Sequence, residues 1–434
     1  MAIDLDQLSR SLSQADDGVR ITGRLRGALG LLLSIELPDA RLGELVEIQH
    51  AGGTRLLGEI VGFDAQGVKV LPLGAAEGLG PDDKVLALRG PLRVRFGADL
   101  LGRVLDGLGQ PIDGGPELTG QWQPVERAAP LPLSRARVEH VLPLGVRALD
   151  AFVTVGEGQR MGLFAAAGVG KSTLLGQIAQ GTAADVVVLC LIGERGRELR
   201  DFLEDHLGAA GRARSVVVCA TSDAPPLVRM RCPSVATSIA EGFRDQGKKV
   251  LLLVDSLTRF ARAAREVGLA AGETPVRRGY PASVFAQLPR LIERAGTAEV
   301  GSITAFYSVL VEGDDLDEPI TDELRGLLDG HVVLRRALAA RGRYPAVDVI
   351  QSLSRLMPRL TSSEHLAAAN RVRAQLATYE EKRELIALGA YQRGHDERVD
   401  AAIAAQPSIE AFLTQAEHER ADFEDTRVTL CMLS

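Results

Sequence analysis

Between Ala165 and Thr173 the chain reads AAAGVGKST, after the apolar run MGLFA and before TLLGQIAQG, which has helical spacing. A glycine-rich turn ending in Gly-Lys-Ser, with a strand before it and a helix after it, is suited to hold phosphate. Small residues let backbone N–H groups converge on one anion, and the helix N-terminus adds its dipole. In this reading Ala167, Gly168, Val169, Gly170 and Thr173 contact the phosphates of a nucleotide. Lys171 reaches the β- and γ-phosphates, and Ser172 holds Mg2+. Ala165 occupies the place of the motif's first glycine, which is tolerable where its φ is negative.

Two carboxylates extend this chemistry. Asp255 closes KVLLLVDS, and an acidic residue at the tip of an apolar strand stands at a sheet's carboxyl edge, where α/β proteins bind ligands. It would hold Mg2+ through water; the other reading is a cap on the following helix. Glu194 closes VVVLCLIGE and is placed to polarise a water attacking a γ-phosphate. The segment GERGRE reads equally as a solvated charged turn, and the residues alone leave both open.

These side chains need a sheet to position them. After Gly145 the runs MGLFAA, VVVLCLIG, RSVVVCAT, KVLLLVDS, SITAFYSVL and HVVLRRAL alternate with amphipathic segments of helical length. That is the βαβ pattern of a mostly parallel, doubly wound sheet. From Val19 to about Phe96 the text is instead short β-type runs such as ELVEIQH, RLLGEIVGF and GVKVLPLG, which predict a small closed barrel. The stretch from Leu100 to about Pro143 reads as an extended linker. Beyond Met357 strands stop, and LAAANRVRAQLATYEEKRELIAL has helical spacing. The expected fold is therefore α/β: an N-terminal β-barrel (1–96), a P-loop core with a mostly parallel sheet (97–356) and a helical C-terminal domain (357–434).

Composition narrows the class. The 434 residues are 46% hydrophobic and 25% charged, which excludes disorder as the main state. Lys plus Arg number 50 against 57 Asp plus Glu, a net charge of −7, which disfavours a nucleic-acid binder. No apolar run is long enough for a membrane span, and the opening MAIDLDQLSRSLSQADDG lacks the apolar core of a signal peptide. Four cysteines without a CxxC pair are expected to be free thiols in a reducing cytoplasm, and the histidines show no zinc-ligand spacing.

With the phosphate loop and both carboxylates in view, the chain resembles the type III secretion ATPases, relatives of the catalytic subunit of rotary ATP synthases. The resemblance runs through LLGRVLDGLGQPIDG (Leu100–Gly114), the loop segment Gly145–Leu175 and IGERGRELRDFLE (Ile192–Glu204). It continues through Val250–Gly296, which ends in PRLIERAG, then ITAFYSVLVEGDD and YPAVDVIQSLSR (Tyr344–Arg355). It implies a RecA-like core, Mg2+ with ATP as substrate, an oligomerising barrel and a homo-hexamer. The implied partners are stator and central-stalk proteins and chaperone–effector complexes, with no nucleic acid. Peripheral association with an inner-membrane apparatus from the cytoplasm follows from the same likeness.

The resemblance makes Glu194 the residue that activates water, with Arg195 and Arg259 as charged supports. It makes Arg355 an arginine finger that enters the neighbouring subunit's site. Tyr344 would stack on adenine, with Phe423 closing the other face. Chaperone release and unfolding of export substrates are the implied work, and GERGRELRDFLE and DELRGLLDGHVVL look closer to the host-directed injection branch than to the flagellar one. Besides Ala165, two positions depart from the pattern. Glu417 stands where the synthase subunit packs a phenylalanine on adenine, and Pro233 in MRCPS (Met230–Ser234) is expected to break a helix that relatives keep continuous. A rotary synthase subunit is the alternative reading. A hexameric nucleic-acid motor is a weaker one, since residues 19–95 hold one aromatic, Phe63, and no basic cluster.

Overall fold

The computed structural model describes residues 21–50, 53–65, 67–311 and 318–434. The opening segment 1–20 and the acidic residues of EGDD lie outside them. The chain divides into two compact units. One is the chain up to Leu92 with Pro225–Val228 and Glu266–Thr274; the other holds the remainder.

The first unit carries six strands: β1 (Thr22–Leu29), β2 (Leu32–Glu36), β3 (Leu45–Gln49), β4 (Arg55–Asp64), β5 (Gly67–Pro72) and β6 (Lys84–Ala87). They close in the order β1-β2-β5-β4-β3-β6, with Thr22 opposite Leu86 at the seam. Alternation explains the closure: Leu33, Ile35, Val46, Ile48, Val68, Val70 and Val85 point inward and form one core, leaving no free edge.

In the second unit β7 (Arg93–Phe96) pairs with β9 (Gln121–Pro124), and β8 (Val104–Asp106) joins the large sheet. The other strands of that sheet are β10 (Arg160–Ala165), β11 (Val186–Glu194), β12 (Ser215–Thr221) and β13 (Lys249–Asp255). After a hairpin of β14 (Pro275–Arg277) and β15 (Tyr280–Pro281) come β16 (Gly296–Thr297), β17 (Ser302–Leu310), β18 (Gly330–Leu334) and β19 (Leu353–Ser354). The order is β19-β18-β10-β17-β13-β11-β12-β8, with β16 against β17. All neighbours from β18 to β8 run parallel, while β19 returns antiparallel along β18. Residues such as Val187 to Ile192 and Val250 to Val254 are buried throughout, which is why they read as unbroken apolar runs.

The helix Pro226–Asp245 continues through Pro233 and is not broken there. Proline removes one helical donor, but Cys232, Val235, Ala236, Ile239 and Ala240 on either side are fully buried and hold the segment against the core. The C-terminal helices Ser363–Ala387, Glu397–Leu413 and Phe423–Leu433 start on the N-caps Ser362, Asp396 and Asp422. Ala368, Val372, Phe412 and Leu430 from them share the hydrophobic core of the sheet. Cys190, Cys219 and Cys232 are buried free thiols, and Cys431 is half-buried. Among the described residues no helix is long and apolar enough to cross a membrane.

Candidate active site

Parallel strands bring their carboxyl ends to one edge, and that edge collects Ala165, Glu194 and Asp255 from β10, β11 and β13. Ala165 ends β10 in extended backbone, so a glycine is not needed there. Turning begins later: Gly168 and Gly170 hold φ of +78° and +88°, values that favour glycine, and Gly170 caps the helix Lys171–Gly181.

Lys171 reaches across to donate to Asp255. The same carboxylate oxygen accepts from Ser308 Oγ at 2.6 Å, and Asp255 is only 3% exposed. Asp255 therefore faces the phosphate loop and not the helix behind it. A cavity of about 180 Å³ is lined by Ser172, Glu194, Glu198, Asp201, His206 and Asp255, among others. Its oxygen donors, a serine hydroxyl and a carboxylate, are the hard ligands that Mg2+ prefers.

Glu194 owes its aim to its neighbour. The register between β11 and β12 shifts between Ile192 and Glu194, and Gly193 between them has φ +66°. This bulge turns Glu194 toward the cavity. Arg259, in the first turn of Leu257–Ala270, bonds it at 3.1 and 3.2 Å. Burial pushes the Glu194 carboxyl up to about 7, helped by a hydrogen bond with Glu198 and by the charge of Asp255, against the pull of Arg259 and Lys171. Arg195 is exposed and sits 3.6 Å from Glu198, the glutamate hydrogen-bonded to Glu194.

Tyr344 is beside the phosphate loop: a Cβ placed on Gly170 would lie 3.4 Å from its ring. Its carbonyl accepts from Gln415 N at 2.8 Å, and Ala416 O accepts from Gln177 of the loop's helix at 3.0 Å. Glu417 is 2.5 Å from His206 Nδ1. Phe423 is not gathered here; its ring packs on His365, with centroids 6.1 Å apart.

Arg355 stands at the other end of the sheet. It follows β19, whose Ser354 lies opposite Gly330 at the start of β18, and its N–H donates to Asp329 O at 3.0 Å. A five-residue strand spans about 17 Å, so the register keeps Arg355 away from its own Lys171. Glu198, His206, Ser308 and Gly193 were not singled out from sequence. Glu198 is brought to the site by the turn from β11 into the helix Gly196–Asp201, and Ser308 and His206 are joined to it by tertiary packing, so none of them carries a local sequence signal.

Residues 145–354 match the ATP synthase alpha/beta family, nucleotide-binding domain, and residues 361–431 match the T3SS EscN ATPase C-terminal domain. The chain is 51% identical over 421 residues to a type 3 secretion system ATPase of Xanthomonas euvesicatoria, covering 96% of this chain and 95% of that protein. It is 50% identical to a flagellum-specific ATP synthase of Treponema pallidum, covering 96% and 94%. The assembled ATPase EscN from the enteropathogenic E. coli type III secretion system superposes with a TM-score of 0.90 at 43% identity, covering 95% of this chain and 99% of that one.

Proposed function

Because this chain belongs to the type III secretion and flagellar export ATPases, we propose that it is the ATP-hydrolysing motor of a type III protein secretion apparatus, working as a homo-hexamer. The observation that carries the ring is the separation of Arg355 from the cavity lined by Ser172, Glu194 and Asp255 and from Lys171, which is bonded to Asp255. One chain contains every part of the site, yet the finger stands at the wrong edge to serve its own cleft. A second copy supplies it, and a ring of identical subunits gives each cleft a finger. A solved structure of EscN in complex with its central stalk EscO covers 95% of this chain at a TM-score of 0.88, which supports a stalk partner here.

In the assembled site the loop from Ala167 to Thr173 wraps the phosphates, and Lys171 exchanges Asp255 for the β- and γ-oxygens. Ser172 directly, and Asp255 through water, would hold Mg2+, which would supply charge neutralisation to the phosphates. Glu194, held by Arg259, orients the attacking water and draws its proton. Tyr344 offers a ring face to adenine from the side of Gly170. Glu417 leaves the base with a polar second wall, because its carboxylate is tied to His206.

The exported cargo is assigned to chaperone–effector complexes of a host-directed injection apparatus, on the wording of GERGRELRDFLE and DELRGLLDGHVVL. Residues 357–434 then form the partner-handling face, and the barrel region 1–96 ties the ring together. The test is complementation: the chain should restore secretion to a strain lacking its injection ATPase and leave a strain lacking its flagellar ATPase non-motile. The reverse pattern would move the assignment to flagellar export.

A further inference from the structure

The trans finger constrains more than Arg355. Whatever lies within a side chain's reach of Arg355 must face whatever lies within a turn of the neighbouring subunit's Glu194. On the finger side, Arg355 Nη2 donates to the carbonyl of Arg325 at 3.2 Å. Both arginines are exposed, and neither forms an ion pair with a carboxylate among the described residues. A third base, His331, stands with them; burial lowers its pKa first, and the positive charges of Arg325 and Arg355 lower it further. A cavity of about 400 Å³ opens beside this patch, lined by Phe164, Arg325, His331, Val333 and Gln351.

The cleft side has the opposite sign. Glu198 and Asp201 line the Glu194 cavity on the helix that follows it. Their own cations are Arg195 at 3.6 Å and Arg197 at 3.8 Å, both about four-fifths exposed. Such loose surface pairs hold a carboxylate weakly, leaving it free to exchange partners. Within one subunit the two patches occupy opposite edges of the sheet, Arg325 just before β18 and Asp201 beyond the end of β11.

We propose that Arg325 pairs with the Glu198–Asp201 lip of the neighbouring subunit's cleft and so positions the Arg355 finger, an inference that rests on the trans-finger reading above. Arg325 then acts twice. Its carbonyl holds the finger's guanidinium, and its side chain docks on the acidic lip, so the finger is aligned only once the interface has formed. Arg325 is a positioning residue and touches no reacting atom.

Cysteine pairs test the contact directly. Arg325→Cys combined in one chain with Glu198→Cys or with Asp201→Cys should give covalent dimers and longer ladders on a non-reducing gel after mild oxidation, whereas each single variant should not. Arg325→Glu should raise the protein concentration needed for half-maximal ATPase about tenfold, through like charges facing each other. Adding Asp201→Arg in the same chain should recover most of that shift, and high salt should blunt both effects. A merely structural Arg325 would not be rescued by a change on another subunit's helix. The finger itself is read separately, by mixing Arg355→Ala with Glu194→Gln subunits. If mixing restores activity but neither cysteine pair links and the reversal is not rescued, the Arg325 contact is overturned while the finger stands. If mixing fails in rings shown to contain both chains, both are overturned.

Discussion

Lys171 donates to Asp255 across the carboxyl edge of the sheet, and Ser308 donates to the same oxygen at 2.6 Å. In this geometry the ammonium and the nearly buried carboxylate satisfy each other. A phosphate that captures Lys171 leaves Asp255 uncompensated until a cation arrives, so nucleotide and Mg2+ binding should be coupled. Asp255→Asn should bind ADP without Mg2+ at least as tightly as the parent and gain little when Mg2+ is added. Hydrolysis should fall by about 10²-fold or more, the usual scale for losing one preorganised electrostatic group. Fluorescent-nucleotide titrations with and without Mg2+ check this, and an unchanged Mg2+ effect would count against the role of Asp255.

Glu194 sets a pH limb. Its carboxyl is raised to about 7, chiefly by burial, and only the ionised form can take a proton from water. Turnover should therefore climb as pH rises through about 7 and level off above it. Glu198→Ala removes one of the influences that raise this pKa, so the limb should move to lower pH. Glu194→Gln should keep Mg-ATP binding, lose most hydrolysis and show no limb. Rate profiles at saturating ATP decide it; a parent profile flat across neutrality sinks the assignment.

Gly193 is the backbone counterpart of that argument. Its φ of +66° disfavours any side chain, and a Cβ there would lie 3.0 Å from Arg259 Cδ. Gly193→Ala should cost about 1 kcal/mol of stability from the backbone alone. It should cost far more in rate, because the displaced arginine no longer holds Glu194. A thermal melt beside steady-state turnover separates the two; a large drop in melting temperature with normal turnover would reverse the reading.

These cases mark how far the amino-acid pattern reaches. Val250 to Asp255 declares a buried strand ending in a carboxylate, because a parallel strand covered on both faces must be apolar along its length and polar at its tip. The phosphate loop is legible for the same local reason. Pro233 misleads, since its cost is local while the packing that overrides it comes from Val235, Ile239 and their distant partners. Glu380 is a second case. It is 3.1 Å from Arg341, a pairing across 39 positions that no local pattern carries. The His206–Glu417 contact has no local signal for the same reason: it needs the helical segment Phe202–Leu207 and the distant loop of Glu417 to meet at the phosphate helix, where Gly176 leaves His206 room.

With Arg355 as the proposed trans finger, an isolated subunit has none in its own cleft, and this gives a concentration signature. ATPase per subunit should rise as rings assemble, and Arg355→Ala should lower the plateau by on the order of 10³-fold or more without weakening nucleotide binding. Light scattering recorded beside phosphate release checks whether the two rise together. Full specific activity in samples that remain monomeric would show that the finger is dispensable.

The far end of the helix Ser363–Ala387 carries the remaining prediction. Leu385 is 47% exposed and Leu388 81% exposed, on a tip that also carries Glu381, Glu384 and the half-buried Ile386. Two leucines held in water at the end of a 25-residue helix do nothing for the core, whose contribution from this helix is His365, Ala368, Ala369, Val372 and Leu376. They suit a stalk or chaperone that covers them transiently, with Glu381 and Glu384 supplying a charged rim. Leu388→Asp should therefore leave melting temperature and ring ATPase close to the parent while weakening stalk capture about tenfold, the order expected when one apolar anchor is lost. Glu381→Lys should weaken capture less, and only at low salt. Glu380 is a poor site for such a test, because its loss also frees Arg341. Pull-down with the purified stalk protein beside an ATPase assay separates the outcomes. Capture that survives Leu388→Asp while hydrolysis collapses would place this tip in the catalytic cycle and not at the docking face.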